Sequence, residues 1–307
     1  MARTYSYRPY RPGDECAINE LYYQVTGRRR TAAQFSWQWL EAPEGIADMW
    51  LIEATDDEGN VKLIGHHGVM PIAFSSGNTD LLFGKTENTM VLPEYRRRII
   101  YPRFEKRFSK SYEEKYDALF STMGPTAAIR QRKAMGYEFP VKWESVRCST
   151  NGFFSETLFL VKNFMKKAFK IHRSLRRSYE ILHRHGLLKD EEAENNVFFR
   201  DFWQQSRSNF CIAPRRNKED LAWRFFHNPH KSHLTLVMDE GDVKGYCIIS
   251  LSQKLAGEAL LEDFCVQSNL SKHAAILLDR LCTKLENARI YSLKVICTED
   301  SEISKYN

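Results

Sequence analysis

The sequence lacks the features that define several classes of protein. Its seven cysteines are scattered singly with no CxxC pair, which argues against a disulfide framework and against a zinc site. No apolar run approaches the ~18 residues that span a bilayer. The polar start, MARTYSYRPYRPGDE, lacks the apolar core of a secretion signal. These absences predict reduced thiols, no transmembrane helix and a cytoplasmic location.

Neither basic nor acidic residues are in large excess. The chain has 45 Lys and Arg against 39 Asp and Glu, a net charge of +6, which is too small to indicate a nucleic-acid-binding protein by itself. Hydrophobic residues make up 43% of the 307 positions, enough to fill a core and to exclude a disordered chain. A chain of this length is expected to form one large or two medium domains.

Two stretches repeat one order of features. Residues 34–45 and 220–231 each contain a Trp, an aromatic residue two positions later and a Pro six positions after the Trp. Each stretch is followed by a strand, an acidic turn with Gly and a second strand, at 50–72 and 234–250. The matched order predicts an internal duplication, that is, two related α+β domains.

A basic segment lies between the two copies. Apolar residues recur at three- and four-residue steps over 161–182, the period of an amphipathic helix, with Lys and Arg between them. The sequence therefore predicts an N-terminal domain over 1–150, a basic helical linker over 151–195 and a second domain over 196–307. The linker is open to two interpretations: a solvated connector, or a contact of 161–184 with an anionic membrane surface or an acidic partner.

Residues 84–110 carry the main functional signal. A strand ends at Val91, Pro93 opens a turn, three arginines follow at 96–98, and a helix begins near Tyr101. The free N–H groups at the start of a helix, together with the helix dipole, can hold a phosphate. The arginines add charge-assisted hydrogen bonds to phosphate oxygens. The segment therefore predicts a site for a diphosphate.

This segment resembles the coenzyme A loop of the GNAT superfamily of acyl-CoA-dependent N-acyltransferases, V-x-P-x-Y-R-G-x-G-x-G/A. Val91, Pro93, Tyr95 and Arg96 stand at matching places, and residues 127–139 resemble the helix and strand near the C-terminal end of that domain. The resemblance covers about residues 5–145, and the duplicated order resembles tandem GNAT-like proteins. It implies acetyl-CoA as co-substrate. The residues that it implies for coenzyme A binding are Val91, Arg96, Arg97, Arg98, Ile99, Ile100, Tyr101 and Arg132.

The sequence departs from the family pattern at two places. Arg97, Ile99 and Tyr101 replace glycines that let the backbone approach the phosphates. Either the loop widens and arginine side chains replace backbone contacts, or coenzyme A binding has been lost. Arg132 stands where the family has the tyrosine that protonates the leaving thiolate. An arginine stabilises a thiolate but does not protonate it near neutral pH.

Glu87 is the candidate general base. An amine loses a proton before it attacks a thioester, commonly to a carboxylate. Glu87 lies four residues before Val91, and alternation along a strand predicts that it shares a face with Thr89 and Val91. The alternative interpretation is a surface or salt-bridged Glu near the start of a strand.

Other charged or titratable residues carry weaker signals. His66 and His67 are adjacent, so they point to opposite faces of a strand, and we predict no metal site from them. The run Arg28–Arg30 is interpreted as a solvated loop or, beside a cleft, as a site for an acidic substrate. The second copy shows no arginine-glycine loop, which predicts a scaffold, a lid or an acceptor-side wall. That domain is either incomplete or abbreviated.

The sequence as a whole predicts an α+β protein of two tandem GNAT-like domains, each a mixed sheet flanked by helices. The predicted function is acetyl or acyl transfer from coenzyme A to a primary amine of a small molecule, such as an amino sugar or a cell-envelope precursor. Two alternatives remain open. One is an aminoacyl-tRNA-dependent peptidyltransferase-like protein that holds tRNA on the basic linker, and the other is a catalytically inactive binding protein.

Overall fold

The computed structural model describes residues 4–98, 100–122, 126–134, 136–138, 143–150, 175–255, 257–267 and 271–298. The chain divides into two compact units. The first unit comprises Met1–Glu138 together with Phe210–Arg215 and Asn228–His230. The second unit comprises Phe139–Asn209, Arg216–His227 and Lys231–Asn307.

The first unit is built on a mixed sheet in the order β1-β2-β3-β4-β5, in which β5 is parallel to β4 and the other neighbours are antiparallel. Its elements in chain order are β1 (Thr4–Pro9), α1 (Glu15–Thr26), α2 (Ala32–Trp39), β2 (Asp48–Thr55), β3 (Val61–Ser76), β4 (Thr79–Val91), a 3-10 turn at Pro93–Arg98, α3 (Ile100–Tyr112), β5 (Ala118–Phe120) and α4 (Thr126–Ala134).

Helices cover both faces of this sheet. Helix α2 begins with a capping box, in which the Thr31 side chain accepts from the Gln34 backbone and the Gln34 side chain accepts in return. Helices α1 and α2 bury one face, where Trp39 packs with Met49 and Leu51. Helix α3 buries the other face. Its aromatic residues pack against Ile52, Val69 and Val91; they are Phe104, Phe108 and Tyr112.

The second unit has a sheet in the order β6-β12-β11-β10-β9-β7. Its elements are β6 (Trp143–Ser149), α5 (Leu175–Arg184), β7 (Leu188–Lys189), α6 (Asp190–Glu194), α7 (Phe198–Ser206), a 3-10 turn at Arg207–Asn209, α8 (Lys218–Leu221) with a π-helical continuation at Ala222–Phe226, β9 (Leu234–Glu240), β10 (Val243–Leu251), β11 (Glu258–Val266), α9 (Ser271–Asn287) and β12 (Ser292–Thr298). One further strand, β8 (Ala213–Pro214), pairs with β3 in the first unit.

The two units share an order of elements. In the first, β2, β3 and β4 form an antiparallel meander, and α3 leads to the parallel strand β5. In the second, β9, β10 and β11 form the same meander, and α9 leads to the parallel strand β12. The predicted α+β architecture with mixed sheets and flanking helices is confirmed, and the shared order accords with the predicted duplication.

The division of the chain differs from the predicted one near residue 150. The second unit begins at Phe139, because β6 pairs with β12 along its whole length, from Trp143 to Ser149. Of the basic segment, 151–174 lies outside the described residues. The described part, α5, buries Leu182 in the core of the second unit and exposes Arg176 and Arg177. Within the described part of the chain, no helix has both the length and the apolar character needed to cross a bilayer.

Candidate active site

Strands β4 and β5 part from each other near the middle of the first sheet. Their parallel pairing covers only three positions and ends at Lys85 and Phe120. Strand β4 continues to Val91 along β3, whereas β5 ends at Phe120. The parting leaves a wedge between the two strands, flanked on the β4 side by residues 86–91.

A β-bulge interrupts β4 inside this wedge. His66 pairs with Met90 and Gly68 pairs with Glu87, so β4 carries one extra residue between these pairs. Asn88 lies in the bulge with a positive φ of 49°. Asn tolerates this left-handed conformation better than most residues with a Cβ atom. The bulge turns the backbone of β4 where the strand no longer pairs with β5.

The bulge changes the face on which Glu87 lies. Alternation predicted that Glu87 shares a face with Thr89 and Val91, and this is wrong, because the extra residue reverses the alternation. Glu87 lies on the α1/α2 face opposite Gly68, whereas Val91 lies on the α3 face opposite Gly65. Lys85 Nζ lies 2.8 Å from Glu87 Oε1, and the two side chains are 26% and 28% exposed.

Arg132 lies in the wedge. Its Nη1 donates to Ser121 Oγ at 2.5 Å, just beyond the end of β5, and its Nη2 lies 3.4 Å from Thr86 Oγ1, just beyond the last β4–β5 pair. Gly136, at a φ of 90°, follows α4 and turns the chain back. The Tyr137 hydroxyl then donates to Glu105 Oε1 of α3 at 2.8 Å, which fixes the end of α4.

The predicted diphosphate turn follows directly after β4. Val91 is buried at the strand end, and Arg96 is exposed and donates from Nε to the Val91 carbonyl at 2.9 Å. The structure places the backbones of Arg97 and Arg98 in the 3-10 turn and those of Ile100 and Tyr101 in the first turn of α3, without describing their side chains. Ile99 lies outside the described residues.

The fold is similar to those of solved structures that are described as N-acyltransferases or N-acetyltransferases. A protein from Enterococcus faecalis described as a probable N-acyltransferase matches with a TM-score of 0.64 at 12% identity, over 96% of this chain and 66% of that one. A GCN5-related N-acetyltransferase from Anabaena variabilis matches with a TM-score of 0.64 at 13% identity, over 99% of this chain and 68% of that one. The chain has the GNAT fold.

Further comparisons show how far the similarity extends. N-myristoyltransferase from Saccharomyces cerevisiae, solved with bound myristoyl-CoA, matches with a TM-score of 0.54 at 14% identity, over 95% of this chain and 72% of that one. The present chain thus spans about two thirds of the length of its structural neighbours. No protein-family model matches the sequence, and no curated protein matches it. The resemblance found at residues 84–110 is confirmed at the level of the fold.

Two buried histidines support the bulge in this GNAT fold. His66 Nδ1 donates to the Asn88 carbonyl at 3.0 Å, and His67 Nδ1 lies 2.9 Å from Thr89 Oγ1. Burial lowers the pKa of His66 to about 4, and the nearby charge of Arg30 acts in the same direction. Burial, with the charges of His66 and Arg132, lowers the pKa of His67 well below its usual value. Both rings are therefore neutral near pH 7.

Three buried polar atoms on the α1/α2 face have no hydrogen-bond partner among the described residues: Arg30 Nη2, Trp39 Nε1 and His66 Nε2. The Trp39 ring lies between the other two groups, 5.3 Å from the His66 ring and 6.0 Å from Arg30 Cζ. The interpretation of Arg28–Arg30 as a solvated loop holds for Arg28 and Arg29, which are exposed, but not for Arg30, which is 9% exposed. In the sequence, Arg30 is not distinguished from the two arginines before it.

Proposed function

We propose that this protein is an acyl-CoA-dependent N-acyltransferase that acts on a primary amine. The observation that carries the proposal is the bulge at Asn88 placed where β4 parts from β5. A bulge turns backbone N–H groups away from the regular ladder, where they can donate to the carbonyl oxygen of a thioester. The wedge would hold the pantetheine arm of the acyl-CoA.

The turn after β4 supports coenzyme A as the acyl carrier. Arg96 is exposed and donates from Nε to the Val91 carbonyl, and no bond from its Nη groups is found among the described residues, so these groups can donate to a diphosphate. Arg97 and Arg98 stand next to it in the 3-10 turn. The bound myristoyl-CoA of the yeast neighbour is consistent with a carrier of this class.

Two side chains would take part in the transfer. Glu87 accepts the proton of the attacking amine, since it lies one residue before the bulge and is partly exposed. The new C–N bond forms as the C–S bond breaks. Arg132, held between Ser121 and Thr86, stabilises the departing thiolate, which then takes its proton from water. The acceptor amine is that of a small molecule such as an amino sugar or a cell-envelope precursor.

Calorimetric titration with acetyl-CoA tests the carrier. We expect micromolar binding to the wild type, loss of binding in the Arg96→Ala/Arg98→Ala variant, and retention in Arg107→Ala, an exposed arginine on the same helix as Phe104. Absence of binding at millimolar acetyl-CoA would contradict the proposal and favour the tRNA-dependent or the inactive alternative.

The base is tested separately, by release of coenzyme A in the presence of a panel of primary amines. Glu87→Gln keeps the shape of the side chain and removes its basicity, so we expect kcat/KM to fall by about 10²–10⁴-fold. Lys85→Gln, which removes only the ion-pair partner, is the matched control and should change the rate far less. Equal effects of the two substitutions would show that the pair acts structurally.

A further inference from the structure

Arg30 is a buried cation that forms no ion pair with any carboxylate among the described residues. It donates from Nε to Asn19 Oδ1 at 2.8 Å and from Nη1 to Gln38 Oε1 at 2.9 Å, and both partners are neutral amides. Nη2 is buried without a hydrogen-bond partner among the described residues. Three rings surround the guanidinium, those of Tyr22, Phe35 and Trp39. Aromatic faces attract a cation but do not neutralise it, and burial lowers the pKa of Arg30 to about 10.

The second unit contains the counterpart of Arg30. Arg30 directly precedes Thr31, the N-cap of α2, and Arg216 directly precedes Asn217, the N-cap of α8. Each arginine stands seven residues before the Trp and thirteen before the Pro of the repeated pattern. The two arginines therefore occupy the same position in the two copies of the repeat.

The counterpart has its counter-charge built in. Arg216 Nε lies 3.1 Å from Asp263 Oδ2, and the two side chains are 12% and 6% exposed. The Tyr246 hydroxyl donates to the same carboxylate at 2.7 Å. Burial alone would raise the pKa of Asp263, but the charges of Arg216 and Arg224 hold it below its usual value. This arginine is thus buried as half of an ion pair.

The register of the sheets shows what replaces that carboxylate in the first unit. Asp263 pairs with Ile248 beside a bulge between β10 and β11, and Met90 pairs with His66 beside the bulge between β3 and β4. Counted from the Gly of each hairpin, Gly59 and Gly241, His66 and Ile248 are both the seventh residue. Met90 therefore stands where the second unit has Asp263, and no carboxylate on the described strands of the first unit pairs with Arg30.

Arg30 lies on the same face of the sheet as the proposed reaction. Glu87 pairs with Gly68, whose missing Cβ leaves room for the Trp39 ring, since a Cβ there would come within 2.2 Å of Trp39 Cζ3. Trp39 in turn lies 6.0 Å from Arg30 Cζ. Arg30 and Gly68, the strand partner of Glu87, thus both lie close to Trp39 on the α1/α2 face.

We propose that Arg30 binds a carboxylate of the acyl acceptor, so that the substrate of this enzyme is a primary amine that also carries a carboxylate. The inference rests on the proposed function and names its substrate class. A buried cation that lacks a partner is unfavourable, and a ligand carboxylate supplies the missing charge. Asn19 and Gln38 are only partly buried. The ligand reaches the guanidinium by displacing Gln38 from Nη1 and then accepts from Nη2 as well.

A carboxylate suits this position better than a phosphate. The two N–H groups on one edge of a guanidinium match the two oxygens of a planar carboxylate. A phosphate dianion would lose more hydration on entering an aromatic-lined site that offers a single positive charge. A ligand with a carboxylate is therefore expected to bind this site more tightly than one with a phosphate.

Turnover with matched amines tests the substrate class. Release of coenzyme A is measured with glycine and glycinamide, β-alanine and β-alaninamide, and glutamine and glutamine α-amide. We expect the wild type to prefer the acid of at least one pair by tenfold or more in kcat/KM. Gln38→Glu places a carboxylate beside Arg30 within the protein and should remove the preference. Arg29→Gln, at the exposed neighbouring arginine, should retain it.

A second measurement is independent of catalysis. The acetylated product mimic N-acetylglycine should raise the melting temperature of the wild type, whereas N-acetylglycinamide and inorganic phosphate should not, and Gln38→Glu and Arg30→Gln should abolish the shift. Loss of acetyl-CoA binding would overturn the proposed function but leave this shift unaffected. No shift with N-acetylglycine, or equal shifts with acid and amide, overturns the carboxylate site.

The stability of the unliganded protein shows whether Arg30 serves to bind a ligand or to stabilise the fold. Gln38→Glu should raise the melting temperature by completing an ion pair, and Arg30→Met should leave it unchanged or raise it. Arg216→Met should lower it, because this change leaves Asp263 buried and unpaired. If Arg30→Met destabilises the protein as much as Arg216→Met, Arg30 is a structural residue and the proposal is wrong.

Discussion

The imidazole of His66 donates from Nδ1 to the main-chain carbonyl of Asn88 at 3.0 Å, and this bond ties β3 to the bulge of β4. Asn88 adopts a positive φ of 49°, a conformation that costs a residue with a Cβ atom about 1–2 kcal/mol. A fully buried hydrogen bond from a rigid ring offsets part of that cost. The bulge is therefore fixed by the protein before any ligand binds.

Substitution of Asn88 tests the backbone of the bulge. Asn88→Gly should keep the free energy of unfolding within about 0.5 kcal/mol, since Gly adopts positive φ without steric cost. Asn88→Val should lower it by about 2 kcal/mol, because a β-branched side chain is excluded from this region. Urea denaturation of the full chain measures both values. A neutral Asn88→Val would show that the left-handed conformation is absent in solution.

The histidine itself should make stability depend on pH. The folded pKa of His66 is about 4 and its ordinary value is 6.5, so the unfolded state binds more protons between these values. Stability contributed by the neutral ring is complete above about pH 6.5 and falls as the pH drops towards 4, by up to roughly 3 kcal/mol. His66→Gln retains a donor for the Asn88 carbonyl and should remove the part of this dependence that comes from His66, whereas the part that comes from buried His67 remains. Denaturant unfolding of both proteins from pH 4 to pH 7 measures the difference.

The architecture was predictable because its signals are local. The hairpins predicted at 50–72 and 234–250 correspond to β2–β3 and β9–β10, and the helix predicted near Tyr101 is α3, beginning at Ile100. The pairing of β6 with β12 was not predictable in this way, because it joins segments separated by more than a hundred residues. The residues of β6 do not identify the strand with which it pairs, because a strand pattern predicts an extended segment but not its neighbour in the sheet.

Arg132 should affect the chemical step more than acetyl-CoA binding. Its guanidinium lies between Thr86 and Ser121, beside the expected position of the thiolate. Arg132→Gln should therefore lower kcat about 10²-fold, as removal of a donor to a developing anion does, with a smaller change in KM for acetyl-CoA. Arg130→Gln, an exposed arginine of the same helix, serves as the control. A large rise in KM with unchanged kcat would place Arg132 in ground-state binding instead.

The buried ion pair of the second unit should show strong coupling. Asp263→Asn leaves Arg216 buried without its charge partner, and we expect a loss of about 3–5 kcal/mol in unfolding free energy. The double variant Asp263→Asn/Arg216→Gln should be less destabilised than the sum of the single changes. The exposed pair Lys244–Asp239 is the comparison, because removing it should cost less than about 1 kcal/mol. A double-mutant cycle measured by denaturation gives both coupling energies, and additive effects would contradict the pairing.

The candidate site was only partly predictable. Residues 84–98 carry a recognisable pattern. Arg132, matched from its helix motif to the family's tyrosine position, lies 3.4 Å from Thr86 of β4, and its role stays a prediction. The bulge was not predicted, since alternation continues through it in the sequence, although Asn88 is a residue type that tolerates positive φ. Arg30 was named only as part of the run 28–30, interpreted as a solvated loop or a site for an acidic substrate, because an arginine in a polar run is usually exposed. Its signal was the repeat, in which Arg30 and Arg216 stand at the same distance from the tryptophan.

Each unit contains segments from both halves of the chain, which limits where the protein can be cut into fragments that fold. The second unit takes β6 from before residue 150, and the first takes β8 and Asn228–His230 from beyond residue 209. A fragment cut at residue 150 or 196 would therefore expose an edge of β12 to solvent and remove the strand that pairs with Phe74 and Ser75. Newly synthesised chain completes the first sheet only after residue 214 and the second only after residue 298, so half-length fragments are expected to aggregate through unpaired strand edges.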